Sequence, residues 1–283
     1  MKMAGLIGTS DISGSLDAKN IVSGVLTSAL EMTNLAPLCT SIAVPELTAT
    51  IPVMTAAAVD EDVEEFEVSE IGGSAFTHVA FDLKKDRVFV AASDEATYKS
   101  KAGDPLTIQI NSAGVRLANI LDKKIVTAFE TSPQTGAATL KWDTSANNPL
   151  VDLATAVTAI LPYTADFVVM PQAVYTEYLQ NDFLETTASY APSEAAGSVA
   201  KIPGVELDVY VNDNVTAKSA IVGASNGTPA AIGNGPVKVR EWDEATLGAR
   251  MYQMDVFRQA VAPVFTNSSS TNMSVYAITD LIS

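Results

Sequence analysis

The stretch from Asp60 to Ser93 restricts the fold more than any other part of this chain. Phe66 and Val68 alternate with Glu65, Glu67 and Ser69. Ile71-Gly72-Gly73-Ser74 then offers the positive backbone angles of a tight turn, and Val79, Phe81 and Leu83 alternate on the way back. Val88 and Val90 prolong the return strand beyond Lys84-Lys85-Asp86. The pattern predicts a two-stranded arm that projects by several tens of Å at about 3.3 Å per residue. Seven carboxylates, Asp60, Glu61, Asp62, Glu64, Glu65, Glu67 and Glu70, crowd its outgoing half. Ionised carboxylates without partners are expensive to bury, so such an arm must lie outside the core of its own domain. The remaining chain has to supply the body that carries it.

That body is legible in outline. Asp17 to Met32 places Ile21, Val22, Val25, Leu26, Ala29 and Leu30 on one helical face, with Asp17 as N-cap. Thr40 to Met54, cut by Pro45 and Pro52 and rich in Val, Ile and Thr, predicts short edge strands. Asp104-Pro105 is a capping carboxylate followed by proline at the first helical position. Leu106, Ile110, Ala113, Leu117, Leu121 and Ala128 carry that helix to about Phe129, roughly 37 Å. Gly114, near its middle, costs up to about 1 kcal/mol relative to Ala and suggests a bend. Residues 131–148 read as loop, with Ser132-Pro133, Thr135-Gly136 and Asn147-Asn148 as breakers. A second helix starts at Pro149 behind Asn148 and stops at Pro162. Asp166 to Met170 is a buried strand feeding a third helix from Pro171. Strands follow at Val205–Val211, Ala220–Val222, Val237–Trp242, about Met251–Val264 and Val275–Ile278, with no tandem repeat. The fold class is α+β, with one half around residues 149–262 and the other built from the arm, the long helix and the C-terminus.

Composition removes most functional classes. In 283 residues, 47% hydrophobic and 18% charged, there is material for a sizeable core. No apolar run reaches bilayer-spanning length, and Met3 to Gly8 is too short for a signal-peptide core, so neither membrane nor Sec export is expected. Cys39 alone forms no intrachain disulfide, and with His78 alone it leaves no closed zinc ligand set. Seventeen Lys and Arg against 33 Asp and Glu, a net charge of −16, give no bulk attraction to nucleic acid or to anionic lipid.

Enzymatic chemistry finds no foothold either. His78 lies on the projecting arm without a cleft, Cys39 reads as a small packed side chain, and no nucleophile elbow, phosphate loop or zincin helix is present. Gly233-Asn234-Gly235 resembles the start of a dinucleotide fingerprint, but Pro236 follows. The acid run lacks the glycine and spaced glutamate of a helix-loop-helix calcium site and reads as a solvated or partner-facing edge. The Asn-X-Ser/Thr triplets at Asn214, Asn226, Asn267 and Asn272 carry no weight without an export signal. No catalytic residue, cofactor or metal is expected.

The order of elements carries a resemblance. Val79-Ala-Phe-Asp-Leu-Lys-Lys-Asp-Arg-Val-Phe-Val-Ala-Ala-Ser93 resembles the descending strand of the extended loop in the major capsid proteins of tailed double-stranded DNA viruses, the Hong Kong 97-type fold. Asp166-Phe-Val-Val-Met-Pro-Gln-Ala-Val-Tyr-Thr-Glu-Tyr-Leu179 resembles that family's strand-to-helix step in the axial domain. Ile202 to Tyr210 and Ala220 to Gly223 resemble its following strands. The similarity runs from about Asp17 through nearly the whole chain.

The resemblance implies an N-terminal arm at 1–38 and a peripheral domain with spine helix from 39–56, 93–148 and 263–283. It implies an extended loop at 57–92 and an axial domain at 149–262. It also implies a non-enzymatic shell protein that self-assembles as pentamers and hexamers into an icosahedral virion capsid in the host cytoplasm. The partners implied are portal and scaffolding proteins, a cement or minor capsid protein, and packaged double-stranded DNA without sequence-specific binding. An encapsulin-like nanocompartment enclosing an enzyme is the alternative on the same fold. About fifty residues precede the arm, so scaffolding is expected from a separate protein or from a segment already lost. Some members cross-link covalently through a lysine near the loop tip, but this chain has no lysine between Lys19 and Lys84, so no such bond is expected. In the related fold the loop lies across a neighbour near its long helix. The expected intersubunit contacts are therefore Glu65, Phe66, Glu67, Glu70, Ile71 and Phe76 on the arm, against Arg116, Lys123 and Lys124 on the helix.

Overall fold

The computed structural model describes residues 18–56, 75–93, 105–144, 148–181, 197–202, 204–246, 248–262 and 272–283. Helix α1 spans Ala18–Met32 and α2 spans Pro105–Phe129, the full extent expected for the long helix. Helix α3, Pro149–Ala159, starts where Asn148 Oδ1 accepts the Leu150 amide at 3.0 Å, and α4 spans Gln172–Gln180. The strands are β1 (Thr40–Ala43), β2 (Thr48–Ala56), β3 (Ala75–Asp82), β4 (Lys84–Ser93), β5 (Pro133–Ala137) and β6 (Phe167–Met170). Then come β7 (Ala200–Ile202), β8 (Leu207–Val211), β9 (Ala220–Gly223), β10 (Ala231–Glu244), β11 (Ala249–Val261) and β12 (Asn272–Thr279).

Three sheets result: a six-stranded one in the order β5-β12-β9-β6-β8-β7, a four-stranded one in the order β1-β10-β11-β4, and the ribbon β2-β3. In the six-stranded sheet every residue of β6 and β9 is buried, because both faces are covered. Val168 and Met170 point with Val209 and Val222 toward Leu153 of α3, Ile160 just past its end, and Val174 and Tyr178 of α4. Phe167 and Val169 point the other way, with Tyr210 and Ile221, toward Leu121, Ile125 and Phe129 of α2. The C-terminal half of α2 is thus built into the second core, where each large side chain contributes about 2 kcal/mol by burial. The N-terminal half of α2 and helix α1 instead cover one face of the four-stranded sheet, Leu117, Val25 and Ala29 meeting Val88, Val90, Tyr252, Met254 and Val256.

Several expectations are corrected. The return strand of the arm pairs antiparallel with β2, Ile51 opposite Val79 and Thr48 opposite Asp82, while the outgoing segment with Phe66 and Val68 lies outside the described residues. Alternation defines the two faces of a strand but is silent on which strand lies beside it. Among the described residues the ribbon has two strands, so Pro52 lies on an edge strand, where proline is tolerated. The expected turn at Ile71–Ser74 lies outside the described residues. The return strand also ends at Asp82: β4, placed by the expected boundary in the extended loop, pairs with β11 from Arg258↔Lys84 to Ala249↔Ser93 and is an edge strand among the described residues. The halves exchange strands too, since β10 and β11 join β1 and β4, while β12 joins the six-stranded sheet.

The loop expected over 131–148 contains β5, held parallel to β12 as an edge strand. Its Pro and Gly lower the local strand signal, and the pairing comes from a segment about 140 residues away. Gly114 marks a crossing. A Cβ there would stand 2.5 Å from Ser28 Oγ and 2.6 Å from Ser28 Cβ, so its absence lets α1 lie directly on α2.

Candidate assembly interface

The arm is rooted by alternation. Val79, Phe81 and Leu83 are buried with Val44 and Ala231, while His78, Ala80 and Asp82 are exposed. Phe81 and Leu83 rest directly on backbone at Gly233 and Gly235, where a Cβ would meet Phe81 Cδ1 at 2.6 Å and Leu83 Cδ1 at 2.5 Å. The Gly-Asn-Gly that resembles a nucleotide fingerprint is therefore the seat of the arm. Two hydrogen bonds close the root: Leu83 N donates to Leu47 O at 2.8 Å and Asp82 N to Gln259 Oε1 at 2.5 Å.

Beyond Leu83 the chain enters β4, whose two faces have different fates. Toward α2, Asp86 receives Lys124 Nζ at 2.6 and 2.7 Å, and the same ammonium donates to Arg258 O at 2.9 Å. Arg258 Nη2 reaches Leu117 O at 3.3 Å, and burial pulls the arginine's pKa down against the opposing field of Asp86. This polar clamp fixes the middle of α2 to the sheet. The same contacts engage Lys124 inside its own subunit. Arg116 and Lys123 stand exposed on α2 with no ion pair among the described residues. Glu65, Phe66, Glu67, Glu70 and Ile71 lie outside the described residues. Phe76 sits in β3 opposite Met54.

The other face of this sheet has no helix over it among the described residues. Register places Lys85 beside Phe257, Arg87 beside Asp255 and Lys238, Phe89 beside Gln253 and Arg240, and Ala91 beside Met251 and Trp242. Arg87 Nε donates to Asp255 Oδ1 at 2.7 Å, and Gln253 Nε2 donates to both oxygens of that carboxylate at 3.0 Å. The Arg87 hydrogen bond holds the Asp255 carboxyl below its ordinary value. Phe89, 52% exposed, and Trp242, 37% exposed, meet edge to face at 6.5 Å. The sequence signal was available, since Lys85-Asp-Arg-Val-Phe89 and Lys238-Val-Arg-Glu-Trp242 both alternate with period two. Only the sheet register shows that their cations and rings share one side.

Where α1 ends, Thr33 Oγ1 donates to Asp122 Oδ1 at 2.5 Å and Asn34 N to Oδ2 at 3.4 Å. Burial raises the Asp122 pKa despite these bonds. Cys39, packed against the same core, has its thiol pushed far up by burial, with Asp122 adding to the effect, so it is no thiolate nucleophile. Among the described residues no group of three His, Cys, Asp or Glu side chains could hold a metal ion, and no helix is long and apolar enough to cross a membrane.

A two-stranded ribbon, a long spine helix and a mixed domain beside the spine's sheet define the Hong Kong 97-type capsid fold. A sequence model described as phage capsid protein matches residues 81–268, two thirds of the chain, and the chain belongs to that family. Among curated proteins, none matches. Of solved structures, the capsid of a native GTA particle is 14% identical with TM-score 0.65, covering 89% of each chain. A Mycobacterium phage Cain chain is 13% identical with TM-score 0.60, covering 97% of this chain and 98% of that one. The holo-SrpI encapsulin complex from Synechococcus elongatus PCC 7942 is 11% identical with TM-score 0.63, covering 88% and 87%. The protein is a structural, non-enzymatic shell protein of the phage capsid family.

Proposed function

We propose that this chain is the major capsid protein of a tailed double-stranded DNA virus, forming the pentamers and hexamers of an icosahedral shell assembled in the host cytoplasm. The observation that carries this reading is the phage capsid match over residues 81–268, which runs from the arm's root through the spine and both large sheets. Portal and scaffolding proteins act in assembly, a cement or minor capsid protein reinforces the shell, and the packaged DNA is held without base recognition. The arm contributes its carboxylate run with Phe66, Ile71 and Phe76 to a neighbour, and Arg116 and Lys123 lie on the exposed side of α2. Many modest contacts, each repeated in every subunit, sum to a stable closed container.

The likeness to an encapsulin supports a second reading, a nanocompartment around an enzyme, because the fold is shared by both kinds of shell. Electron microscopy of particles from producing cells, with their contents extracted, separates the two. Closed shells holding double-stranded DNA are expected. Shells holding a co-purifying enzyme would establish the nanocompartment, and an absence of shells would remove both readings.

A further inference from the structure

We propose that Asp86 is a two-partner carboxylate on which Lys124 and Arg258 exchange, so that the middle of α2 is released from the four-stranded sheet without leaving a bare charge in the interior. The inference concerns the single subunit and does not rest on the shell reading. In the sheet register Asp86 pairs with Val256 and Lys84 with Arg258, which makes Asp86 and Arg258 diagonal neighbours on adjacent strands. Both lie on the face turned toward α2, where Lys124 meets Asp86 and Arg258 meets Leu117 O. Diagonal residues stand about 7 to 8 Å apart, within the span of a long side chain. A change of rotamer therefore brings Arg258 onto Asp86, with the backbone of both strands in place.

The two cations are unequally served. Lys124, whose side chain is 21% exposed, holds both oxygens of Asp86 at 2.6 and 2.7 Å and Arg258 O at 2.9 Å. Arg258 is only 6% exposed. Its guanidinium makes one long hydrogen bond, from Nη2 to Leu117 O at 3.3 Å, and its buried Nε has no partner among the described residues. A buried donor without an acceptor is costly, and a planar guanidinium matches a carboxylate through two parallel bonds where an ammonium acts as a point charge. The carboxylate is thus paired with the cation that water can reach, and the cation that water cannot reach is left with one weak bond. Exchange reverses this. Arg258 takes Asp86 through its guanidinium, and the Lys124 ammonium turns out along α2 to solvent, beside exposed Lys123. Removing one partner of a buried ion pair is expensive because it strands the other charge, and a second cation held in reserve removes that cost. Lys84, opposite Arg258 in the register, is exposed and needs no counter-charge.

The test is pulse acetylation of the full-length subunit with an N-hydroxysuccinimide ester, read residue by residue from fragment masses, with Lys123 as the internal reference. In the parent Lys124 should react at least about tenfold more slowly than Lys123, and Asp86→Asn should bring the two to within about threefold. Arg258→Met gives opposite signs for the two roles open to Arg258. If it competes for Asp86, its loss should slow Lys124 acetylation by a further factor of about three or more. A faster or unchanged rate would overturn the inference and leave Arg258 as a fixed support of the clamp. Should Arg258→Met not fold, Arg258→Gln, which keeps a donor for Leu117 O and removes the charge, is read the same way. Failure of both to fold would also overturn it, since a cation in reserve is dispensable while Lys124 is in place. Urea denaturation gives an independent reading. Lys124→Met and Arg258→Met together should lower the folding equilibrium constant at least about tenfold more than the product of their separate effects, because only the double variant strands Asp86, and Asp86→Asn should abolish that excess. Effects that simply multiply, or a double variant no worse than either single one, would contradict the exchange.

Discussion

Asp122 shows how a single residue can carry a cost that its neighbours only partly offset. Its carboxylate holds the end of α1 through Thr33 and Asn34, but burial keeps its pKa above the usual carboxylate range. Below the unfolded value both states are protonated. As pH rises toward the raised folded value, the unfolded chain ionises first, and stability is lost across that window. Thermal denaturation of the parent and of Asp122→Asn should therefore diverge with pH. The melting temperature of the parent relative to the variant should be higher at about pH 4 than at about pH 7, and a constant difference would show that burial does not control this group. The pairings themselves were not readable from the chain. Lys124 is recognisable as a cation on a helix, but its partner Asp86 is 38 positions away and on a strand, so only packing could bring them together.

At the scale of elements, the spine helix illustrates a local propensity overruled by a crossing. Replacing Gly114 with Ala should stabilise an isolated helix by up to about 1 kcal/mol. Here the new Cβ would stand 2.5 Å from Ser28 Oγ and 3.1 Å from the Ala29 backbone nitrogen, neither of which is the free end of a flexible chain. Gly114→Ala should accordingly destabilise the subunit by about 1 to 3 kcal/mol, measured by chemical denaturation, and Ser28→Gly in the same chain should recover part of the loss. Helices announced themselves because caps and a 3.6-residue period are local: Pro105 and Pro149 begin helices as expected, and the helix expected from Pro171 begins at Gln172 with Pro171 at its N-cap. Strands did so less well. β10 runs from Ala231 to Glu244 instead of Val237 to Trp242, because its first residues gain their partner β1 from nearly two hundred positions upstream. β5 was hidden for the same reason, and the partnership of β3 with β2 was not foreseen.

For the whole molecule, the expected outcome of denaturing the particles is a single band near 29.7 kDa with no ladder of multimers, with or without reductant. The lysine-free interval ahead of Lys84 removes the amine for a bond at the loop, and burial keeps Cys39 from exchanging with thiols. A ladder that survives reductant, read on a denaturing gel, would point to Lys84 or Lys85 as the nucleophile. The net charge of −16 describes the sum and misses the distribution, since the sheet concentrates Lys85, Arg87, Lys238 and Arg240 on one side. By itself the sequence determined that a long helix and an acidic, alternating segment exist, that no catalytic set is present, and the order in which the elements follow, because each of these depends on neighbours in the chain. The tertiary structure alone decided that β3 lies on β2, that Lys124 is engaged by Asp86, and that two separate strands lay their cations and rings on one open face. Those outcomes depend on register between segments more than a hundred residues apart in the case of β10 and β4, and side-chain periodicity within a strand holds no record of what lies beside it.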